Sequence, residues 1–365
     1  TSHPIERRSS TPHALPGQGP ASTPHQRADT VAKMGIMDKI RDIEAEMART
    51  QKNKATEGHL GLLKAKLARY RNELIAASET KGPKGEGFEV VKAGDARVAM
   101  IGFPSVGKST LLDRLTQTKS EAAAYEFTTL TCIPGNIEYR DARIQLLDLP
   151  GIIEGASGGK GRGKQVIAVA RTADLVLFML DATKGEVQRV KLEKELHSCG
   201  IRLNCDRPDI TFKRKASGGV SFNSTLKLTK MDARLCGLIL KEYKINNAEV
   251  LFRGDYGADE LIDAVLGNRV YLRALYCYNK CDLVSIEECD RLARLPDSLV
   301  LCTALKLNFD VILALIWDYL ALVRVYTKKQ GRAPDFSDPV VLRSGATIKE
   351  VCHKIHRTLV DSFKS

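Results

Sequence analysis

The 365 residues include 56 lysines and arginines against 44 aspartates and glutamates, a formal net charge of +12, with 43% hydrophobic residues. That length leaves room for more than one core, the basic excess favours a polyanionic partner, and no apolar run reaches the length of a membrane span. Nine cysteines, an odd number with no Cys-x-x-Cys pair and no companion His spacing, argue against a disulfide scaffold or a zinc module and for reduced thiols in a cytosolic protein.

Residues 1–33 hold Pro4, Pro12, Pro16, Pro20 and Pro24 among scattered Ser, Thr, His and Arg, and read as a disordered tail. The tail is basic and acid-poor like a transit peptide, but no amphipathic helix is evident in it. Across 34–93, Ile36, Ile40, Ile43 and Met47 recur at helical spacing and Leu60, Leu63, Leu67 and Leu74 do likewise, which predicts a hairpin of two amphipathic helices joined near Gly58. Arg49, Lys52, Lys54, Lys64, Lys66, Arg69 and Arg71 give it a basic outer face that suits RNA phosphates, although an ordinary solvated helix surface looks the same.

Gly102, Phe103, Pro104, Ser105, Val106, Gly107, Lys108 and Ser109, followed by Thr110, complete a G-x-x-x-x-G-K-[ST] phosphate loop. The flanks fit: 97–101 reads as a buried strand and 109–115 as a helix. Lys108 is expected to neutralise β and γ phosphates, and the Ser109 hydroxyl to ligate Mg²⁺. In 124–134, Thr128 and Thr129 are candidates for a switch hydroxyl that joins the Mg²⁺ shell when the γ phosphate is present, and the same residues also suit the start of a strand.

The strand-like run 142–147 ends in Asp148, which is placed to hold Mg²⁺ through its water shell; Leu149, Pro150 and Gly151 follow, with the Gly151 N–H suited to sensing the γ phosphate. Ile152 and Ile153 occupy a neighbourhood where many switch proteins place a water-orienting glutamine. A hydrophobic side chain cannot make that bond, so intrinsic hydrolysis is expected to be slow, about 10⁻⁴ to 10⁻² per second, and no catalytic residue is assigned. The glycine-rich stretch 155–163 fits a segment that reorders with nucleotide state or a plain flexible loop.

Further on, 175–181 reads as a central strand and 187–198 as a helix. A long interval then carries a basic turn at 213–215 with 217–219. The third motif, Asn279, Lys280, Cys281 and Asp282, ends the apolar run 274–278. Guanine presents N1–H and an amine on one edge, and the Asp282 carboxylate can accept both, whereas adenine offers no such pair. Asn279 and the stem of Lys280 would support the loop and cover the ring. A strand at 298–302 leads to Thr303 and Ala304, and a closing helix is predicted over 308–323 with Trp317 buried. Beyond 326, an apolar run at 340–342 and a helix over 348–360 complete the pattern.

The phosphate loop, the stretch 125–131, the run from Asp148 through Gly155 and the block 50–56 together resemble the developmentally regulated GTP-binding proteins of the Obg superfamily; Met34-Gly35-Ile36 and Asn268-Arg269-Val270-Tyr271 point to the second subfamily. The resemblance implies an α/β fold: a P-loop GTPase domain over 94–323, a small α/β domain inserted at about 200–272, the amino-terminal helical hairpin, and a partial β-grasp (TGS) module over 324–365. It implies Thr129 as the Mg²⁺-sensing threonine, backbone contacts from Thr303 and Ala304 to the guanine oxygen, and hydrolysis of GTP to GDP without a catalytic glutamine. It also implies a cytoplasmic protein associated with ribosomes and with a small stabilising partner of RWD type. Some potassium-stimulated relatives carry an asparagine where Ser105 stands, and a serine has a weaker claim to K⁺. Met34 resembles the usual start of the family, so 1–33 reads as an extension. The expected function is a GTP-hydrolysing switch acting with translating ribosomes or RNA; the alternative is a nucleotide-stabilised RNA-binding module with negligible turnover.

Overall fold

Seven consecutive buried residues make β1 (Ala96–Gly102), and the same pattern makes β4 (Leu175–Asp181), as expected for strands covered on both faces. The computed structural model describes residues 24–79, 94–116, 133–149, 169–328, 331–337, 339–356 and 359. Around β1 and β4 a seven-stranded sheet forms from β2 (Ile133–Tyr139), β3 (Ala142–Asp148), β5 (Ile201–Leu203), β9 (Val270–Asn279) and β10 (Ser298–Val300). Its order is β10-β9-β4-β1-β3-β2, with β5 paired to the start of β9. All pairings are parallel except β2 with β3.

Alternate residues of each strand point to opposite faces. Val98, Met100, Leu177 and Met179 pack with Leu111 and Leu112 of α3 (Lys108–Leu115) and with Ile312, Ile316 and Trp317 of α8 (Phe309–Tyr319). Ala99, Ile101, Val176 and Phe178 face Leu192 and Leu196 of α4 (Val187–Ser198) and Leu292 of α7 (Ile286–Ala293). Helices on both faces leave the carboxyl ends of the strands open, where such sheets place their ligands.

Between β5 and β9 the chain builds a second unit. A three-stranded sheet, β6 (Ile210–Arg214), β8 (Ala248–Phe252) and β7 (Val220–Ser224) in that order, packs on α5 (Ala233–Glu242) and α6 (Ala258–Leu266). Lys213 and Arg214 belong to β6, so the expected basic turn is confined to 215–219, where Gly218 and Gly219 take φ of 96° and 70°. The amino-terminal hairpin docks on this unit. Helix α1 (Pro24–Arg49) and α2 (Glu57–Glu79) are antiparallel partners, and Gly61 of α2 lies so close that a Cβ there would stand 2.7 Å from Leu235.

Several boundaries differ from the sequence expectation. Helix α1 already begins at Pro24, inside the stretch read as a disordered tail; Gln26, Arg27, Ala28, Ala32 and Lys33 are good helix formers. The helices join at 50–56, not at Gly58, because the Thr56 N–H donates to Asn53 Oδ1 at 2.9 Å and closes a turn there. The closing helix ends at Tyr319, four residues before the expected 323: Ala321 is left-handed with φ of 50°, and β11 (Leu322–Val325) pairs antiparallel with β12 (Val340–Arg343). Helix α9 (Ile348–Ile355) is broken at His356, which is extended at φ −163°; of the remaining residues expected in the helix only Leu359 is described, and it is helical.

The basic outer face of the hairpin is also partly consumed. Lys64 pairs with Asp259 and Arg69 with Glu242, both in the second unit, and Arg71 pairs with Glu44 of α1. Arg49, Lys52 and Lys54 at the tip stay exposed. Among the described residues no helix is long and apolar enough to cross a membrane.

Candidate nucleotide site

The phosphate loop leaves β1 and enters α3 through two residues of positive φ, Ser105 at 62° and Gly107 at 93°. Gly107 requires glycine twice over: a Cβ would stand 2.4 Å from Asn279 Nδ2, and the backbone is left-handed. Gly102 is equally confined, with the Met179 carbonyl oxygen 2.4 Å from the place a Cβ would take. A loop curled in this way and leading straight into the first turn of α3, whose N–H groups have no partner within the helix, is of the kind suited to phosphate oxygens. Pro104, Ser105, Ser109 and Thr110 are exposed there, and Phe103 packs half-buried beneath.

Lys108 folds back over the loop, its ammonium donating to the carbonyls of Gly102 at 3.2 Å and Phe103 at 3.1 Å. Burial lowers its pKa from the usual lysine value, and the Asp148 carboxylate opposes that shift. The Ser109 hydroxyl donates to Asp148 Oδ2 at 2.7 Å, while Asp148 Oδ1 is buried with no hydrogen-bond partner among the described residues. A buried carboxylate oxygen without a donor calls for one, and with the adjoining hydroxyl it makes an all-oxygen set of the kind Mg²⁺ takes directly or through water. The Leu149 N–H extends the sheet onto Met100 O at 3.2 Å and its side chain lies in the core. Thr128, Thr129, Pro150, Gly151 and Ile152 lie outside the described residues.

The third motif closes the site from β9. Asn279 is buried; its amide donates to Val106 O at 2.8 Å and to Thr303 Oγ1 at 3.0 Å, and its Oδ1 accepts from the Thr303 N–H at 2.9 Å. Lys280 is left-handed with φ of 65°, and its ammonium donates to Asp181 Oδ2 at 2.8 Å. Cys281 opens a short 3-10 turn (Cys281–Leu283), its N–H on Leu301 O at 3.3 Å. Asp282 on that turn is exposed, and the Ala304 carbonyl accepts from Arg114 of α3 at 2.9 Å.

Two residues without a motif signature complete the loop. Asp181 closes β4 and accepts from the Thr183 N–H and hydroxyl as well as from Lys280. Burial pushes its pKa up, but those bonds outweigh it and hold the carboxyl below the ordinary aspartate value. The signal for it is the one that marks Asp148, a carboxylate ending an apolar strand at the carboxyl edge of the sheet. The other is Cys302, whose thiol lies 2.9 Å from Asp282 Oδ1. A cavity of about 690 Å³ between α4, β5 and α6, lined by His197, Tyr256 and Tyr271 among others, lies away from the phosphate loop.

Family models match in series along the chain: a 50S ribosome-binding GTPase over 97–211, the C-terminal region of that domain over 217–322, and a TGS domain over 323–365. Developmentally-regulated GTP-binding protein 2 of Bos taurus is 66% identical over 331 residues, and that of Homo sapiens 65%, each alignment covering 91% of both chains. The homologue from Dictyostelium discoideum is 62% identical over the same share of each. With the phosphate loop, the Asp148 carboxylate and the Asn279 anchor in one site, and with relatives this similar along nearly its whole length, the chain belongs to the developmentally regulated GTP-binding protein family of P-loop GTPases in the Obg superfamily.

Proposed function

We propose that the chain binds GTP and GDP and hydrolyses GTP as a slow switch. The bond from Asn279 to Val106 carries this reading, because it joins the carboxylate suited to guanine and the cradle suited to polyphosphate into one site. On binding, the Lys108 ammonium exchanges two carbonyl partners for β and γ phosphate oxygens, and the Asp282 oxygens accept from the guanine edge. Ser109 and Asp148, together with Thr129, would hold Mg²⁺, which when bound neutralises charge on the β and γ phosphates. Water attacks the γ phosphorus and GDP leaves. Ile152 offers that water no hydrogen bond, so the rate stays about 10⁻⁴ to 10⁻² per second unless a partner or K⁺ near Ser105 assists.

The same reading divides the chain into the hairpin, a GTPase domain over 94–323 with a small α/β domain inserted between β5 and β9, narrower than the expected 200–272 because 201–203 and 270–272 pair within the GTPase sheet, and a TGS module from 324, working in the cytoplasm with a small RWD-type partner. Ribosomal or other RNA is the proposed macromolecular ligand, supported by the net charge of +12 and by the ribosome-binding description of the matched family. Its contact is assigned to Arg49, Lys52 and Lys54, since Lys64, Arg69 and Arg71 already have carboxylate partners.

Titration with GTP, GDP and ATP, joined to multiple-turnover phosphate release with and without ribosomes, tests the proposal. Guanine nucleotides should bind and ATP should not, with slow release that ribosomes accelerate. A flat release trace in both conditions would leave a nucleotide-stabilised RNA-binding module, which Ile152 favours, and failure to bind any guanine nucleotide would end both readings.

A further inference from the structure

We propose that a small polar cavity at the root of the second unit is a site for one phosphate group, free or at the end of a larger molecule, held by Arg269 and Arg207. The cavity, of about 130 Å³, lies where the chain enters that unit, at Arg207 and Pro208, and where it leaves it, at Arg269 and Tyr271, against Asp263 and the end of α6 at Gly267. Tyr271 and Asn279 stand near opposite ends of β9, about 26 Å apart at the rise of a parallel strand, so the cavity is remote from the nucleotide site.

One carboxylate serves two guanidiniums here. Asp263 Oδ2 accepts from Arg202 Nε at 2.7 Å, and Oδ1 accepts from Arg202 Nη2 at 2.8 Å and from Arg269 Nε at 3.0 Å. Arg202 places its remaining nitrogen on the His197 carbonyl at 2.9 Å. Arg269 has no acceptor for either Nη group among the described residues, although its side chain is only 7% exposed. Burial outweighs Asp263 and lowers its pKa, as expected of a guanidinium with too little counter-charge. Its seat is fixed: a Cβ at Gly200 would stand 2.6 Å from Nη1, so the group lies close over bare backbone. Arg207 lines the same cavity, is exposed, and is in no ion pair among the described residues.

Three guanidiniums against one carboxylate leave two positive charges in surplus. The carboxyl end of α6 offsets about half an elementary charge of that, so the cavity still favours an anion. Guanidinium forks match phosphate oxygens in geometry as well as in charge. The volume is that of about four waters at about 30 Å³ each, well under the roughly 300–1,000 Å³ of pockets that enclose a whole small molecule. It takes the phosphate group and leaves anything attached to it outside.

The test titrates inorganic phosphate into the full chain saturated with Mg²⁺ and GDP, which fill the phosphate loop, at constant ionic strength with chloride as the control. One phosphate should bind per chain. Arg207→Ala should weaken it about tenfold, the size of one hydrogen bond to a charged group, and Arg269→Met should abolish it, with GDP affinity unchanged in both. Arg207 is exposed, so its variant reads the site even if Arg269→Met fails to fold. Methyl phosphate should bind as phosphate does, whereas dimethyl phosphate, with the diester linkage of a nucleic-acid backbone, should not. No phosphate binding beyond that of chloride, or binding that Arg207→Ala leaves unchanged, overturns the proposal, and equal affinity for the diester overturns its assignment to a free or terminal phosphate. A chain that binds no GDP would end the switch reading alone, because wild type against Arg207→Ala still reports on this remote cavity.

Discussion

Asn279 and Val106, far apart in sequence, are joined by a buried hydrogen bond of 2.8 Å from side-chain amide to carbonyl. The bond makes the base-reading loop and the phosphate loop a single body. The same Asn279 side chain takes the Thr303 N–H at 2.9 Å, so the segment after β10 is tied in as well.

Replacing Asn279 should therefore loosen the site even without nucleotide. Asn279→Ala leaves the Val106 carbonyl and the Thr303 N–H unpaired and should cost about 1–3 kcal/mol. Asn279→Asp should cost more, because a carboxylate can still accept from Thr303 but sets two acceptors against each other at Val106. Denaturant midpoints of the apo proteins measure both, and an aspartate variant as stable as the alanine one would contradict the described geometry.

Gly107 and Gly218 have nearly the same φ, 93° and 96°, but differ in what surrounds them. A Cβ at Gly107 meets Asn279 Nδ2 at 2.4 Å, whereas one at Gly218 meets nothing within 4 Å. Gly218→Ala should cost only the left-handed backbone penalty, about 1–2 kcal/mol. Gly107→Ala should exceed it and also abolish nucleotide binding, as read by thermal melts and GDP titration of the two variants side by side.

The contrast between these residues also shows how far local patterns reach. Strands β1, β3 and β4 and helix α4 were legible because each buries a face or a whole run of apolar residues, and the carboxyl ends of the strands carry the motif residues. The bond partners were not. Lys64 meets Asp259 195 positions away, so no spacing rule distinguishes it from the exposed Lys52. Cys302 has the pattern of a strand end, and only tertiary packing sets its thiol on Asp282. The end of α8 was hidden because Ala321 takes a left-handed conformation that glycine or asparagine would normally announce.

Two basic residues of the hairpin should respond oppositely in stability and in RNA binding. Arg69 Nη1 donates to the Glu242 carboxylate and, at 3.1 Å, to its carbonyl, with both side chains largely covered. Arg69→Ala should cost about 1–2 kcal/mol, whereas Lys52→Ala on the exposed tip should stay within about 0.5 kcal/mol. Lys52→Ala should instead weaken RNA binding and flatten its dependence on log salt, by roughly 0.7–0.9 in slope for each phosphate no longer neutralised. A double-mutant cycle of Arg69 with Glu242 and salt titrations of RNA affinity check the two halves.

Asp181 supplies the pH dependence. Its folded-state pKa lies below the ordinary 3.8, since burial, which acts upward, is outweighed by the bonds from Lys280 and Thr183. A depressed carboxylate pKa means that the unfolded chain binds the proton more tightly, so the stabilisation is present above the unfolded value and is lost as pH falls through the folded one. The stability difference between wild type and Asp181→Asn should thus be constant from about pH 7 to about pH 5 and shrink once the pH drops below about 3.8. Asparagine can still accept from Thr183 but attracts the Lys280 ammonium less, which frees the side chain expected to cover the guanine ring. GDP affinity of Asp181→Asn should fall several-fold at neutral pH, with Lys280→Met showing a comparable loss. If the two variants are combined, the second substitution should add little, because each acts through the same 2.8 Å contact.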